Sequence, residues 1–181
     1  MNILITGSKG FIGKNLVVSL QNIKDGKLKN SPLSADINLL EFNIDSEQNL
    51  LDEFCKIADV VVHLAGINRP LNPEEFMQGN FSFTEQVLKT LKKYDSKASF
   101  IITSSIQADL DNLYGLSKKA AENLIMEYSK NNNVDVMIYR LPNVFGKWCK
   151  PNYNSVVATF CYNIANNLPI TINNTRTELT L

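Results

Sequence analysis

The chain has 181 residues, 44% hydrophobic and 20% charged, and its 18 Lys and Arg balance its 18 Asp and Glu. That length suits one domain with a sizeable core, while the charge balance leaves no basic footprint for nucleic acid and no polybasic patch for a membrane. Apolar runs as short as VVVHLAG and SFIIT cannot span a bilayer.

The first element is the apolar run Asn2–Thr6, which starts without a charged n-region and so predicts no signal peptide. Strand-like runs follow at Ile37–Asn43, Asp59–Leu64, Ala98–Ser104 and Val134–Leu141. Amphipathic helices are predicted over Phe11–Gln21, Glu47–Ile57, Pro73–Tyr94, Tyr114–Lys130 and Ser155–Asn166. Regular alternation with strands apolar throughout predicts an α/β fold, a doubly wound parallel sheet covered on both faces, as one domain over residues 1–181. The polar segment Asp25–Asp36 reads as an exposed loop. Cys55, Cys149 and Cys161 are odd in number and lack ligand spacing, so they read as reduced thiols of a cytoplasmic protein. His63 is the sole histidine, and no metal site is expected.

Between the first strand and the first helix, ILITGSKGFIG carries Gly7, Gly10 and Gly13. Gly7 permits a tight turn, Gly10 a close approach of backbone to a pyrophosphate, and Gly13 close helix packing. The helix start adds free N–H groups and the positive end of a dipole. A dinucleotide site is the functional expectation, and a plain glycine-rich turn is the structural one. At the end of the second strand an acid suits a ribose hydroxyl, and a basic residue suits a 2′-phosphate. LLEFNID offers Glu41, Asn43 and Asp45 with no basic residue, which leans to NAD unless these are only a solvated strand end. His63 closes the third strand before small Ala65 and Gly66, against whose backbone a cofactor could lie. The histidine is either a base or, among apolar neighbours, a packed core group.

FIITSSIQADLDNLYGLSK puts hydroxyls at the end of the fourth strand and Tyr114 and Lys118 one turn apart at a helix start. Both positions fall at the carboxyl edge of the sheet, where ligands bind. A phenol of pKa about 10 exchanges protons near neutrality only when perturbed. A lysine one turn away and a nicotinamide charge are expected to lower it. A serine hydroxyl can hold a carbonyl while the tyrosine transfers the proton. Alone the pair would be an ordinary helix face; beside the glycine turn and the serines it reads as a proton-transfer device.

TGSKGFIG, HLAG, SS and YGLSK, in this order, resemble the extended short-chain dehydrogenase/reductases. The resemblance covers nearly the whole chain and implies a Rossmann NAD(P)-binding domain, acting in most members on a nucleotide sugar. It implies Ser105, Tyr114 and Lys118 as the catalytic triad, with Ser104 as the alternative serine. Cofactor contacts are implied along Gly7, Gly10, Phe11, Ile12 and Gly13, along Leu64, Ala65 and Gly66, and at Asn80, Tyr114 and Lys118. For Asn80 a plain mid-helix polar residue is the structural alternative.

HLAGINRP, SSIQAD and FGKWCKPNYNSVVATFCYNIA are further similar to capsular-polysaccharide reductases, which join an NADPH-dependent domain to a C-terminal zinc cupin. That similarity implies NADP(H), with NAD(H) as the alternative, and reduction of a UDP-linked 4-keto-6-deoxy-hexosamine towards UDP-N-acetyl-L-fucosamine. Asn143, Lys147, Trp148 and Lys150 follow the fifth strand and offer cations and a stacking surface to a nucleotide diphosphate; Arg69 is a further phosphate candidate. The enzymes it resembles are longer, so a truncated reductase lacking the cupin, possible in a homo-oligomer, is the expectation. An epimerase or dehydratase with bound NAD would use the same triad. The dehydratases' acidic pair beside the serine is replaced here by Ile106 and Gln107. A non-catalytic cofactor-binding module is the third alternative.

Overall fold

The predicted alternation is realised in the computed structural model, which describes residues 1–172, 176 and 178. Strands β1 (Asn2–Thr6), β2 (Asn38–Phe42), β3 (Val60–His63), β4 (Ser99–Ser105) and β5 (Val136–Leu141) form one sheet in the order β2-β1-β3-β4-β5. β1 pairs in parallel with β2 and with β3, and β3 in parallel with β4. The chain leaves β1 for one side of it and returns to the other, so a topological switch point lies between β1 and β3. In open α/β sheets ligands bind outside the carboxyl ends of such strands.

The central strands β1, β3 and β4 are mostly apolar because both faces are covered, whereas β5 at the edge exposes Met137 and Tyr139. Helix α1 (Phe11–Lys24) packs Leu16, Val17, Leu20 and Ile23 against Ile3, Ile5, Leu39 and Val62. On the other face, α2 (Gln48–Ile57) contributes Leu51 and Cys55, against strand residues Leu4, Phe42, Val61, Phe100 and Ile102. That burial is worth about 1.5–3 kcal/mol for each large side chain removed from water.

The helix expected over Pro73–Tyr94 forms over Glu75–Lys93 with a π-turn inside it. A single turn, α3 (Glu75–Met77), runs into a π-turn at Gln78–Ser82, and only then into α4 (Phe83–Lys93). Such turns are scarce and cluster at functional sites. Helix α5 (Leu113–Asn132) begins where the Asn112 side chain accepts a hydrogen bond from the Gly115 N–H at 2.8 Å, and it ends at left-handed Asn133.

Two compact units are distinguished, Met1–Arg140 and Leu141–Leu181. The second carries helix α6 (Val156–Ala165), capped by Ser155, whose hydroxyl accepts from the Ala158 N–H at 3.3 Å. Among the described residues no helix is long and apolar enough to cross a membrane.

Candidate active site

The glycine turn divides its glycines by task. Gly7 has φ 71°, and a β-carbon there would stand 2.8 Å from the Ala65 backbone nitrogen. The turn therefore presses directly on the end of β3. A β-carbon at Gly13 would meet the Gly7 carbonyl oxygen at 2.2 Å, so this glycine serves packing within the turn. Gly10 differs: it is exposed, and its β-carbon position meets only the Gly7 carbonyl at 3.1 Å. The first turn of α1, with Phe11 and Ile12 half-buried, has no capping side chain and no acid. An uncapped helix start behind an open glycine fits a diphosphate.

The end of β2 carries Glu41, Asn43 and Asp45 and no basic residue of its own. The fold adds a cation. The Asn43 carboxamide donates to Ser8 Oγ at 2.7 Å and accepts from the Lys9 N–H at 2.8 Å, and the Lys9 ammonium pairs with Asp45. That hydrogen-bonded ion pair holds the Asp45 carboxyl below its ordinary value.

At the end of β3, Leu64 and Ala65 are half-buried and Gly66 is exposed. A β-carbon at Gly66 would lie 2.7 Å from Asn80 Oδ1 and 3.1 Å from Lys118 Nζ. Asn80, buried in the π-turn, accepts from the Ile67 N–H at 2.9 Å and donates to the Ile67 carbonyl at 2.8 Å and to Ser117 Oγ at 3.0 Å. Ser117 in turn donates to the Tyr114 carbonyl at 2.7 Å. Asn80 is a fastener: it ties the loop after β3 to the start of α5.

Ser105 and Tyr114 meet. Burial raises the Tyr114 phenol, and its side-chain hydrogen bond with Ser105 works the other way, leaving a net rise. Lys118 Nζ stands 5.8 Å from the ring centroid; in the chain alone burial is the larger influence on the phenol and Ser105 the opposing one. Lys118 is buried and donates to the Thr103 carbonyl at 3.3 Å. Burial pushes its ammonium down to about 8, against an opposing pull from Glu122. Ser104 faces elsewhere and donates to Glu122 Oε1 at 2.6 Å. Ser105 is the serine whose side chain acts on the Tyr114 phenol, while Ser104 is engaged by Glu122.

Several participants were not singled out by sequence reading. Gly115 sits so close to the turn after Ser105 that a β-carbon would be 2.1 Å from the Gln107 carbonyl oxygen. Its place directly after the tyrosine was the available signal. Glu122 is gripped by Arg140, at 2.8 Å from Nε and 2.6 Å from Nη2, and no local pattern announces that pairing. His63 is a packed group, between Thr6 Oγ1 at 2.8 Å and Thr84 Oγ1 at 3.0 Å, and burial pushes it down to about 3.

Asn143, Lys147 and Trp148 belong to the second unit, where the Lys147 ammonium stands 4.3 Å from the Trp148 ring centroid. Trp148 itself has φ 68°.

Residues 3–179 match the NAD dependent epimerase/dehydratase family. Over 181 residues the chain is 42% identical to the UDP-2-acetamido-2,6-beta-L-arabino-hexul-4-ose reductase of Pseudomonas aeruginosa, covering 46% of that protein. The crystal structure of the capsular polysaccharide assembling protein CapF of Staphylococcus aureus matches with TM-score 0.83 at 45% identity, over 99% of this chain and 46% of that one. The UDP-glucuronic acid 4-epimerase of Bacillus cereus, in complex with NAD, shares the fold at TM-score 0.73 and 23% identity, over 93% of this chain and 64% of that one. The chain spans about half the length of the reductase and of CapF.

Proposed function

The chain belongs to the NAD dependent epimerase/dehydratase family, and from that premise we propose that it is the cofactor-binding, proton-transferring part of an NADPH-dependent reductase. Its substrate is a UDP-linked 4-keto-6-deoxy-N-acetylhexosamine, on the route to UDP-N-acetyl-L-fucosamine for a capsular or surface polysaccharide. One observation carries this: Ser105 and Tyr114 meet, with the Lys118 ammonium beside the exposed Gly66 backbone. Whole-length identity of 42% to a hexul-4-ose reductase supports the choice of substrate class.

The dinucleotide, when bound, supplies hydride to the ketone carbon. The Ser105 hydroxyl holds the ketone oxygen, and Tyr114 gives that oxygen a proton as it gains negative charge. The raised phenol keeps its proton until then, which suits an acid in the reducing direction. Lys118 holds a ribose hydroxyl, and its charge stabilises the phenolate left behind.

The diphosphate takes the turn at Gly10 and the amides of Phe11, Ile12 and Gly13. Leu64, Ala65 and Gly66 form the ledge under the rest of the dinucleotide, and Asn80 fastens that ledge. Lys9, brought to the end of β2, takes the 2′-phosphate that distinguishes NADPH, a role its bond to Asp45 leaves open to exchange. Asn143, Lys147 and Trp148 serve the nucleotide of the substrate, through a cation and a stacking ring.

Titration of the purified chain with NADPH and with NADH, followed by nicotinamide fluorescence, tests the cofactor half. Saturable binding with a preference for NADPH is expected. Failure of both nucleotides to bind overturns the proposal. Tighter binding of NADH overturns Lys9's role and favours an epimerase or dehydratase with bound NAD.

A further inference from the structure

His63 is the chain's single histidine, and its two ring nitrogens have different partners. Thr84 Oγ1 donates its only proton to the Asn80 carbonyl at 2.7 Å. Towards His63 it can therefore only accept, and Nε2, 3.0 Å away, must carry a hydrogen. The ring is 1% exposed, lies between Phe83 and Phe100 at 5.5 and 5.6 Å, and has no carboxylate partner, so it is neutral. A neutral ring with Nε2–H leaves Nδ1 bare. Thr6 must then donate its hydroxyl proton to Nδ1 at 2.8 Å, which frees Thr6 Oγ1 to accept from the Ala65 N–H at 3.3 Å.

We infer that His63, held as its Nε2–H tautomer, is a positioning residue that sets the Ala65–Gly66 ledge through a one-way chain of hydrogen bonds. The chain runs from Ala65 N–H to Thr6, His63, Thr84 and the Asn80 carbonyl, joining the residue before Gly7, the end of β3 and the π-turn. Both ends reach the same loop. At one end Thr6 accepts from Ala65; at the other the Asn80 side chain holds both backbone groups of Ile67. Gly66 sits between those two anchors. Reversing any one hydroxyl would set two donors or two bare acceptors face to face in a dry site, so the direction is enforced by burial.

The link to cofactor binding rests on the proposed function, and the experiment separates the two. Protein carrying 15N-labelled histidine gives one imidazole to observe. Its nitrogen spectrum is expected to show a single neutral Nε2–H ring, whatever the chain binds. An Nδ1–H ring, or a mixture of tautomers, overturns the direction of the chain. Thr84→Val then removes the acceptor while keeping the shape. The Ala65 and Ile67 amide signals are expected to move, and NADPH affinity to fall about tenfold. Thr84→Ser is expected to restore both. Unmoved Ala65 and Ile67 amides in Thr84→Val overturn the coupling. Moved amides with unchanged NADPH affinity overturn the link to the cofactor ledge. Should Thr84→Val not fold, Thr6→Val and Thr6→Ser make the same comparison from the other end. If the wild-type chain binds neither nucleotide, the proposed function fails, and the tautomer and amide readouts still decide the inference.

Discussion

The position of a β-carbon on Gly115 lies 2.1 Å from the carbonyl oxygen of Gln107 and 2.7 Å from that of Leu110. The first turn of α5 is thereby laid directly on the short 3-10 turn Ile106–Asp109 that follows Ser105. Tyr114 stands one residue earlier, where Ser105 acts on its phenol. Gly115→Ala should force the two segments apart, costing about 1–3 kcal/mol in stability and moving Tyr114 relative to Ser105. Urea unfolding measures the first effect. A Gly115→Ala protein as stable as wild type would show that the contact relaxes without consequence.

Gly10 and Gly13 stand three residues apart and should respond oppositely. Gly13 has the Gly7 carbonyl at 2.2 Å from its β-carbon position, whereas Gly10 is exposed with a single contact at 3.1 Å. Gly13→Ala is expected to destabilise the fold by about 1–3 kcal/mol. Gly10→Ala should leave the melting temperature nearly unchanged and weaken dinucleotide binding, since the methyl group occupies the diphosphate's approach. Calorimetry with NADPH decides it: undiminished affinity in Gly10→Ala removes Gly10 from the site.

What the sequence made legible depends on the range over which each feature is determined. Apolar runs mark all five strands to within two residues, because strands buried on both faces need no partner to be recognised. Gly7 and the spacing of Tyr114 and Lys118 are visible in the local pattern, while Ser105 rather than Ser104 is implied by the family resemblance. Features set by distant partners were not legible. The π-turn at Gln78–Ser82 has no local signal beyond Gly79. The role of His63 is settled by Thr6 and Thr84, on two other elements. Asp45 reads as an adenosine-ribose acid until the turn brings Lys9 onto it. The burial that raises the Tyr114 phenol in the chain alone is not visible in the local pattern.

Burying the Lys118 ammonium costs stability. Burial pushes its folded pKa down to about 8, below the ordinary value of about 10.4. Below pH 8 both folded and unfolded states are protonated, and the folded chain bears the full penalty of burying the charge. Between those two values the folded state releases its proton first, so this contribution improves as pH rises. Lys118→Met, similar in length and uncharged, should stabilise the chain at pH 7 by about 1–3 kcal/mol. That corresponds to a melting temperature higher by roughly 2–10 °C, with the gain shrinking towards pH 10. The same variant should lose dinucleotide affinity. Thermal melts at pH 7 and 10 check the prediction; no gain at pH 7 would show the ammonium to be fully compensated.

Tyr114→Phe isolates proton transfer from binding. The ring keeps its packing on Phe76, 5.7 Å between centroids, so the ledge and helix should be undisturbed. Turnover of the 4-keto sugar is expected to fall by roughly 10²-fold or more for a lost general acid, with dinucleotide affinity nearly unchanged. The comparison belongs in a chain extended to the length of its reductase relatives. Retained turnover would transfer the acid role to another group.

Glu122 should set the acid limit of this part of the fold. Burial works to raise its carboxyl. Hydrogen bonds from Arg140 and Ser104, with the charges of Arg140 and Lys119, outweigh that and hold it below the ordinary value. A carboxylate with a lowered folded pKa contributes stability that is complete above the unfolded value of about 4.3 and is lost as pH falls through the folded one. Glu122→Gln keeps the shape and removes the charge facing Arg140, which retains Asp109 at 2.6 Å. At pH 7 the variant should be less stable by on the order of 2 kcal/mol, less than for a fully enclosed pair because Arg140 is one-third exposed. The difference should then narrow as pH falls below the unfolded value and through the lower folded one, where the wild-type carboxyl takes up its proton and the two proteins converge. Urea unfolding at a series of pH values measures the gap directly. A gap that stays constant from neutral to acid pH would mean that the carboxamide's shape, and not the lost charge, accounts for the whole effect.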